Sequence, residues 1–379
     1  MQKQNRKTGK STIFWGISIL FCMIGILLFP AQAANGAGHG VAYSVHILVP
    51  SLFPFMTLSS LMVLSGAAEK IGAFFQKAVH GIFYLPGSAG AVILMSLIGG
   101  YPVGAKSIAA LWKKGVLTEK QADRMLCFCV NSGPAFVITA VGCGMLGSVK
   151  SGVLLLICLM LPPILFGVVL GVFARIKGGD FGNAPEIPVE KAPQTGVSAL
   201  VSATTDASRA TFIMCAFVIL FHTFEALLGA SGFLTFFART LCRCGVSPDA
   251  SQVLLPALLE VVGGCTACAA SSVGLPFFAF VLGWGGLCIH FQIFAMIGNL
   301  PFSKLRFFAF RFLHGICSAF FVRLGQRMLP IEIPAFSAVT VPTSAAFASS
   351  LPGTVALLAL SAFFLFSANG SGICRKRVL

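Results

Sequence analysis

Glu260 stands in the run Leu258-Leu259-Glu260-Val261-Val262-Gly263-Gly264, and its nearest charged neighbours along the chain are Asp249 and Lys304. A carboxylate so isolated in apolar sequence is costly to bury as an anion. It must be protonated, hydrogen-bonded to exposed backbone or paired with a cation, and each of these suits ligand binding or ion coupling. Two further stretches set polar groups at unusual places. Phe128-Cys129-Val130-Asn131-Ser132-Gly133-Pro134 puts an amide and a hydroxyl beside a helix-breaking Gly-Pro, and an opened helix there would free backbone amides and carbonyls for a ligand. In the second half of the chain, Gly285-Gly286-Leu287-Cys288-Ile289-His290-Phe291-Gln292 offers His290 and Gln292 in the corresponding position. A third interruption is Gly99-Gly100-Tyr101-Pro102-Val103-Gly104, where irregular backbone inside an apolar run needs protein or water around it. Glu225, near the end of another apolar run, can reach an interface by snorkelling and is the weaker candidate.

Several other chemistries fail on spacing. Gly99 to Ser107 is one residue longer than a Walker A loop, and its flanks offer no nucleotide-binding domain. Neither His-Glu-x-x-His nor Gly-x-Ser-x-Gly occurs. Cys265 and Cys268 form a Cys-x-x-Cys without the second pair or close histidine that a zinc site needs. Most other cysteines fall inside apolar runs, where Cys behaves as a small hydrophobe. No catalytic residue and no metal site is expected.

The elements that must hold these residues follow from composition. Of 379 residues, 57% are hydrophobic and 10% charged, against about 25% charged in a soluble domain. The apolar surplus must face lipid. At about 20 residues per crossing, the chain holds about eight to ten membrane segments and no large soluble domain. The 26 Lys and Arg against 11 Asp and Glu gather at segment ends, as the positive-inside rule expects of cytoplasmic loops, and form no nucleic-acid face.

Lys3, Arg6, Lys7 and Lys10 precede a first helix from Thr12 to Phe29, read as uncleaved with its N-terminus inside, and Ala31 to Gly40 lies outside. Val41 to Leu64 returns inward and should break or kink at Pro50 and Pro54. Ile82 to Gly99 enters the membrane and turns back at Gly100 as a re-entrant hairpin. The cations Lys106, Lys113, Lys114, Lys120 and Arg124 then mark a cytoplasmic stretch, in which Thr118 and Gln121 form a capping box. Met125 to Leu146 crosses outward and Gly152 to Phe173 crosses back. After the linker Arg175 to Gln194, Thr211 to Leu228 crosses outward, Leu254 to Val273 is a second interrupted segment, and Phe277 to Ile297 crosses inward. Lys304, Arg306 and Arg311 flank its inner end, and Val355 to Phe366 is the last crossing. Aligned on their double glycines, Ala91 to Ser107 and Leu255 to Ser271 match, and the charge pattern opens the two hairpins on opposite faces. The fold class is therefore an all-α polytopic membrane protein with two re-entrant hairpins in inverted repeats. The units are residues 1–40 (first helix and outer loop), 41–174 (first repeat), 175–196 (cytoplasmic linker), 197–325 (second repeat) and 326–379 (outer loop and last helix). Paired, interrupted segments in oppositely oriented halves point to a transporter's binding site.

Val49 to Phe55 (VPSLFPF), Gly99 to Ala105, Phe128 to Phe136 (FCVNSGPAF), Leu259-Glu260 with Gly263-Gly264, and Gly285 to Gln292 (GGLCIHFQ) together resemble the YlbJ-type sporulation integral membrane proteins, which carry the nucleoside-recognition or Gate domain. The resemblance spans about residues 12 to 325. It implies a distant relationship to concentrative nucleoside transporters, with hairpins and broken helices around a midplane site. By motif match that site is lined by Gly99, Gly100, Tyr101, Pro102, Asn131, Ser132, Gly133, Pro134, Glu260, Gly263, Gly264, His290 and Gln292. Family members are implicated in moving dipicolinic acid across the outer forespore membrane. The resemblance thus implies an alternating-access carrier of a small aromatic dianion or nucleoside-like solute in a bacterial membrane. A coupling proton or sodium ion would serve it, with no other cofactor. The alternative is a non-transporting scaffold, homo-oligomeric or assembled with other sporulation membrane proteins. A membrane-embedded enzyme is disfavoured by the missing catalytic motifs.

Overall fold

The computed structural model describes residues 16–17, 19–178 and 196–328, and among these every regular element is helical. The N-terminal cations Lys3 to Lys10, most of the 175–196 linker and the last crossing lie outside the described residues. The chain is an integral membrane protein: four helices are long and apolar enough to cross a bilayer, and up to six if each of two bent pairs counts as one span. Further segments are built from shorter pieces, and these carry the site.

Helix α1 (Ile19–Leu28) meets α2 (Pro30–Tyr43) at a bend of 105°. A π-helical turn, Ser44–Leu48, joins α2 to α3 (Val49–Leu64). The expected break at Pro50 and Pro54 does not occur. Proline lacks the N–H that the carbonyl four residues back requires, and the chain absorbs Pro50 by widening the preceding turn, so that Val49 N–H donates to Ser44 O. The helix then runs through Pro54.

The first half continues with α4 (Ala67–Phe83), α5 (Ser88–Gly99), α6 (Tyr101–Lys113), α7 (Glu119–Leu126), the π-helix Ala135–Met145 and α8 (Val149–Ile176). The second half repeats the series: α9 (Gly196–Ala230), α10 (Phe233–Arg243), α11 (Pro248–Leu259), α12 (Val261–Ala270), α13 (Leu275–Trp284), α14 (Gly286–Ile297) and α15 (Lys304–Met328). Helices α5, α6, α11 and α12 have 12, 13, 12 and 10 residues. At about 1.5 Å per residue each is about 15 to 20 Å long, half to two thirds of the hydrocarbon core and too short to cross it alone; the proposed re-entrant hairpins are α5–α6 and α11–α12. The predicted capping box starts α7: Gln121 N–H donates to Thr118 Oγ1 at 3.2 Å and Thr118 N–H to Gln121 Oε1 at 2.9 Å.

Glycines let the halves close on each other. On α2, a Cβ at Gly36 would stand 2.7 Å from His222 O and one at Gly40 2.6 Å from Ile219 Cα, so α2 runs antiparallel to α9 at backbone contact. One face collects the predicted cytoplasmic cations. Arg124 donates to Tyr84 O at 2.5 Å, Arg175 to Gly81 O at 2.6 Å, Lys114 to Val63 O, and Arg306 pairs with Asp123.

Three sequence expectations need correction. Arg311 is not a flanking cation: it lies two turns inside α15 and is 1% exposed. Lys106 belongs to the buried run of α6 rather than to the cytoplasmic stretch, and its ammonium is shielded from solvent. The double glycines are not equivalent either. The first hairpin breaks at Gly100 and the second at Glu260, four residues before Gly264. Gly263 and Gly264 stay helical because the Glu260 carboxylate caps α12 ahead of them.

Candidate functional site

Four chain breaks meet at the centre of the molecule. At Gly100 the backbone takes φ +86° and ψ −176°, a conformation open only to glycine, before α6 begins. Between α7 and the π-helix, residues 127–133 leave the helix, and Pro134 caps the next piece. Glu260 is extended (φ −149°, ψ 139°) between α11 and α12. Gly285 and Gly286, at φ +84° and +76°, separate α13 from α14.

Each hairpin tip abuts the broken helix of its own half. A Cβ on Gly100 would lie 3.2 Å from Gly133 N, and one on Gly286 would lie 2.8 Å from Glu260 Cα. Polar bonds then tie the two halves together. Ser132 Oγ donates to Tyr101 Oη, and the Tyr101 hydroxyl donates to Leu282 O, a carbonyl freed by the break at Gly285. Arg311 spreads its fork between both broken helices, donating to Val130 O and to Gly283 O. Its Nη1 also lies 3.0 Å from His314 Nδ1, while His314 Nε2 lies 2.9 Å from Leu159 O. Among the described residues no carboxylate pairs with Arg311. Its charge is satisfied by backbone carbonyls and by the Tyr101 ring, 5.5 Å from the guanidinium, which is how an ionised group survives inside a membrane bundle.

The breaks place the N-termini of α6, the π-helix and α12 at one cavity, whose lining includes Gly100, Tyr101, Pro102, Gly133, Glu260 and, from within α14, Gln292. Its volume is about 40 Å³, room for about two or three waters. Tyr43, Leu48, Leu52, Phe136, Met214, Val218 and Ile289 supply an apolar wall. Glu260 Oε2 accepts from Val262 N–H at 2.8 Å and Gly263 N–H at 2.7 Å, whereas Oε1 has no hydrogen-bond partner. Gln292 donates to Cys288 Sγ at 3.2 Å and leaves Oε1 unpaired. Both residues are 1% exposed. Buried polar atoms without partners are rare and costly, so two acceptors left open at one cavity mark it as the candidate site. On the α9 side, His222 Nδ1 is 4.0 Å from Glu260 Oε2 and its ring stacks on Tyr43. The Glu225 carboxylate lies against Gly263.

The chain is 24% identical over 338 residues to the sporulation integral membrane protein YlbJ of Bacillus subtilis (strain 168), covering 83% of this chain and 82% of that protein. The chain is thus similar to that protein along most of both lengths. No family model matches it, and no solved structure matches it.

Of the residues that the YlbJ-type motifs pointed to, the cavity brings together Gly100, Tyr101, Pro102, Gly133, Glu260 and Gln292. The others support it from behind. Asn131 is fully buried and donates to Phe128 O at 3.0 Å, holding the opened loop, and Ser132 joins the bonds between the halves. Pro134 caps the π-helix, and Gly99 ends α5 against Val103. Gly264 lets α12 pack on Ala257, and Gly263 makes room for Glu225. His290 turns away from the cavity: Nδ1 contacts Gly286 O at 2.5 Å, and the ring stacks on Phe308 at 4.7 Å and meets Trp284 at 4.3 Å. Sequence reasoning missed Arg311 and His314 as internal groups. Their i, i+3 spacing on an apolar helix was the available signal.

Proposed function

We propose that this protein is an alternating-access carrier of a small organic anion, with dipicolinic acid as its solute at the outer forespore membrane during sporulation. The observation that carries this reading is the convergence of the breaks before α6, the π-helix and α12 on one cavity. The N-termini of α6 and the π-helix open at its wall and offer partial positive charge there, the chemistry that an anion's carboxylates need. Glu260 occupies the corresponding N-terminus of α12, and a coupling proton on its open Oε1 would keep that carboxylate neutral while an anion is bound. The cavity is smaller than an aromatic dicarboxylate, so binding requires the hairpin tips to part from the α9 side. The name of the Bacillus subtilis relative supports a sporulation role.

A second reading, a neutral nucleoside-like solute, draws on the absence of Lys and Arg among the described residues that line the cavity. Titrating purified protein with pyridine-2,6-dicarboxylate and with uridine while following thermal unfolding distinguishes them. The proposal expects a melting shift with the dicarboxylate that Gln292→Ala reduces. A shift with uridine alone supports the second reading, and none with either supports the scaffold.

A further inference from the structure

A second cavity, of about 60 Å³, lies in the same seam between α3, α6 and α9 and takes no part in the site described above. It is lined by Ser59 and Ser60 from α3, Lys106 and Ser107 from α6, and Asp206 from α9, with Val63, Leu64 and Ala110 at its far end. Along each helix it is offset from the central cavity by one to about two turns: from Leu52 to Ser59, from Pro102 to Lys106, from Met214 to Asp206. That is about 6 to 12 Å at 1.5 Å per residue. The direction of the offset is toward Val63 and Lys114, which meet at the cytoplasmic end of the seam.

Between the two cavities stands a short apolar plug. Met56 and Val103 are fully buried there, with Ala207 and Ala210, and Thr211 reaches Met56 Sδ at 3.7 Å. Met is the most adaptable apolar side chain to place at such a point.

The inner cavity holds donors without partners beside one carboxylate, Asp206. Ser59 and Ser107 share a hydrogen bond of 2.6 Å, and Ser107 donates to Val103 O at 2.7 Å. The Ser60 hydroxyl, 7% exposed as a residue, and the Lys106 ammonium are shielded from solvent and have no hydrogen-bond partner. Asp206 at the wall offsets the lysine's charge without forming an ion pair with it among the described residues. An ammonium with three donors and an open hydroxyl facing one small space match one carboxylate group.

We propose that this cavity is an anion-binding vestibule on the cytoplasmic path of the site, in which Lys106 holds a carboxylate of the transported solute and Met56 and Val103 separate it from the hairpin tips. The inference rests on the carrier reading above and supplies the cation that the central cavity lacks.

The test uses full-length Ser60→Cys protein in inside-out membrane vesicles, with anionic and cationic methanethiosulfonate reagents, and follows modification of Cys at position 60 by peptide mass spectrometry. The anionic reagent is expected to react faster. Lys106→Gln should lower the anionic-to-cationic rate ratio about tenfold, the scale on which a charged cleft concentrates counter-ions. Asp206→Asn should raise the ratio, and Lys106→Arg should keep it, which separates charge from misfolding. Pyridine-2,6-dicarboxylate should protect position 60, and Lys106→Gln should abolish the protection. No modification from the cytoplasmic side, or a ratio unmoved by Lys106→Gln, would overturn the vestibule. An intact anion preference without protection upholds the vestibule and counts against dipicolinate as the solute, so the two failures are distinguishable.

Discussion

At the scale of single residues, Glu260 does two tasks with two oxygens. Oε2 caps α12 through Val262 and Gly263, and Oε1 is left open at the cavity. Glutamine preserves the cap but cannot carry the charge change, so Glu260→Gln should retain solute exchange and lose uphill accumulation driven by a pH gradient. Alanine removes the cap as well, at about 1 kcal/mol, and Glu260→Ala should lose both. Uptake and exchange in proteoliposomes made from each variant check this, and wild-type accumulation by the glutamine variant would remove Glu260 from coupling. Arg311 is the structural counterpart. Its loss leaves Val130 O and Gly283 O buried and unpaired at about 1 to 3 kcal/mol each. Arg311→Met should therefore lower the melting temperature strongly. Arg311→Lys should rescue little, since an ammonium lacks the fork that reaches both carbonyls.

At the scale of elements, glycine conformation decides where helices stop. Gly286 combines φ +76° with backbone contact to Glu260, so Gly286→Ala should destabilise the second tip by about 1 to 3 kcal/mol. Gly147, at φ +60° in open space, provides the control: alanine there should cost about 1 kcal/mol. Thermal unfolding of the two variants gives the comparison. The breaks at Gly99-Gly100 and Gly133-Pro134 were legible from local backbone signals, whereas Phe277 to Ile297 reads as one crossing and is divided at Gly285-Gly286 in the structure. The break at Glu260 was not legible either, since the visible double glycine lies four residues on and the deciding interaction is a side chain capping the next helix. Pro50 misled for a related reason, because a widened turn accommodates a proline that composition alone marks as a stop. The partners of Arg311, unlike its place on an apolar helix, were invisible. Its partner Val130 is 181 residues away, and no local pattern encodes that distance.

At the scale of the molecule, the charge pattern of the sequence predicts that the two halves are inverted. Lys113 and Lys304 should label from the cytoplasmic side after substitution by cysteine, and Asn35 and Arg243 from the opposite side. Labelling of the Lys113 and Asn35 positions from the same face would dismantle the inverted arrangement. We propose that the converging breaks form a carrier's binding site for a small anion. Uptake of radiolabelled pyridine-2,6-dicarboxylate by proteoliposomes containing the purified protein tests this most directly. The account predicts saturable uptake that is accelerated by unlabelled dicarboxylate on the far side and reduced by Gln292→Ala. Flux no greater than in protein-free liposomes, with the protein folded and inserted, would contradict it.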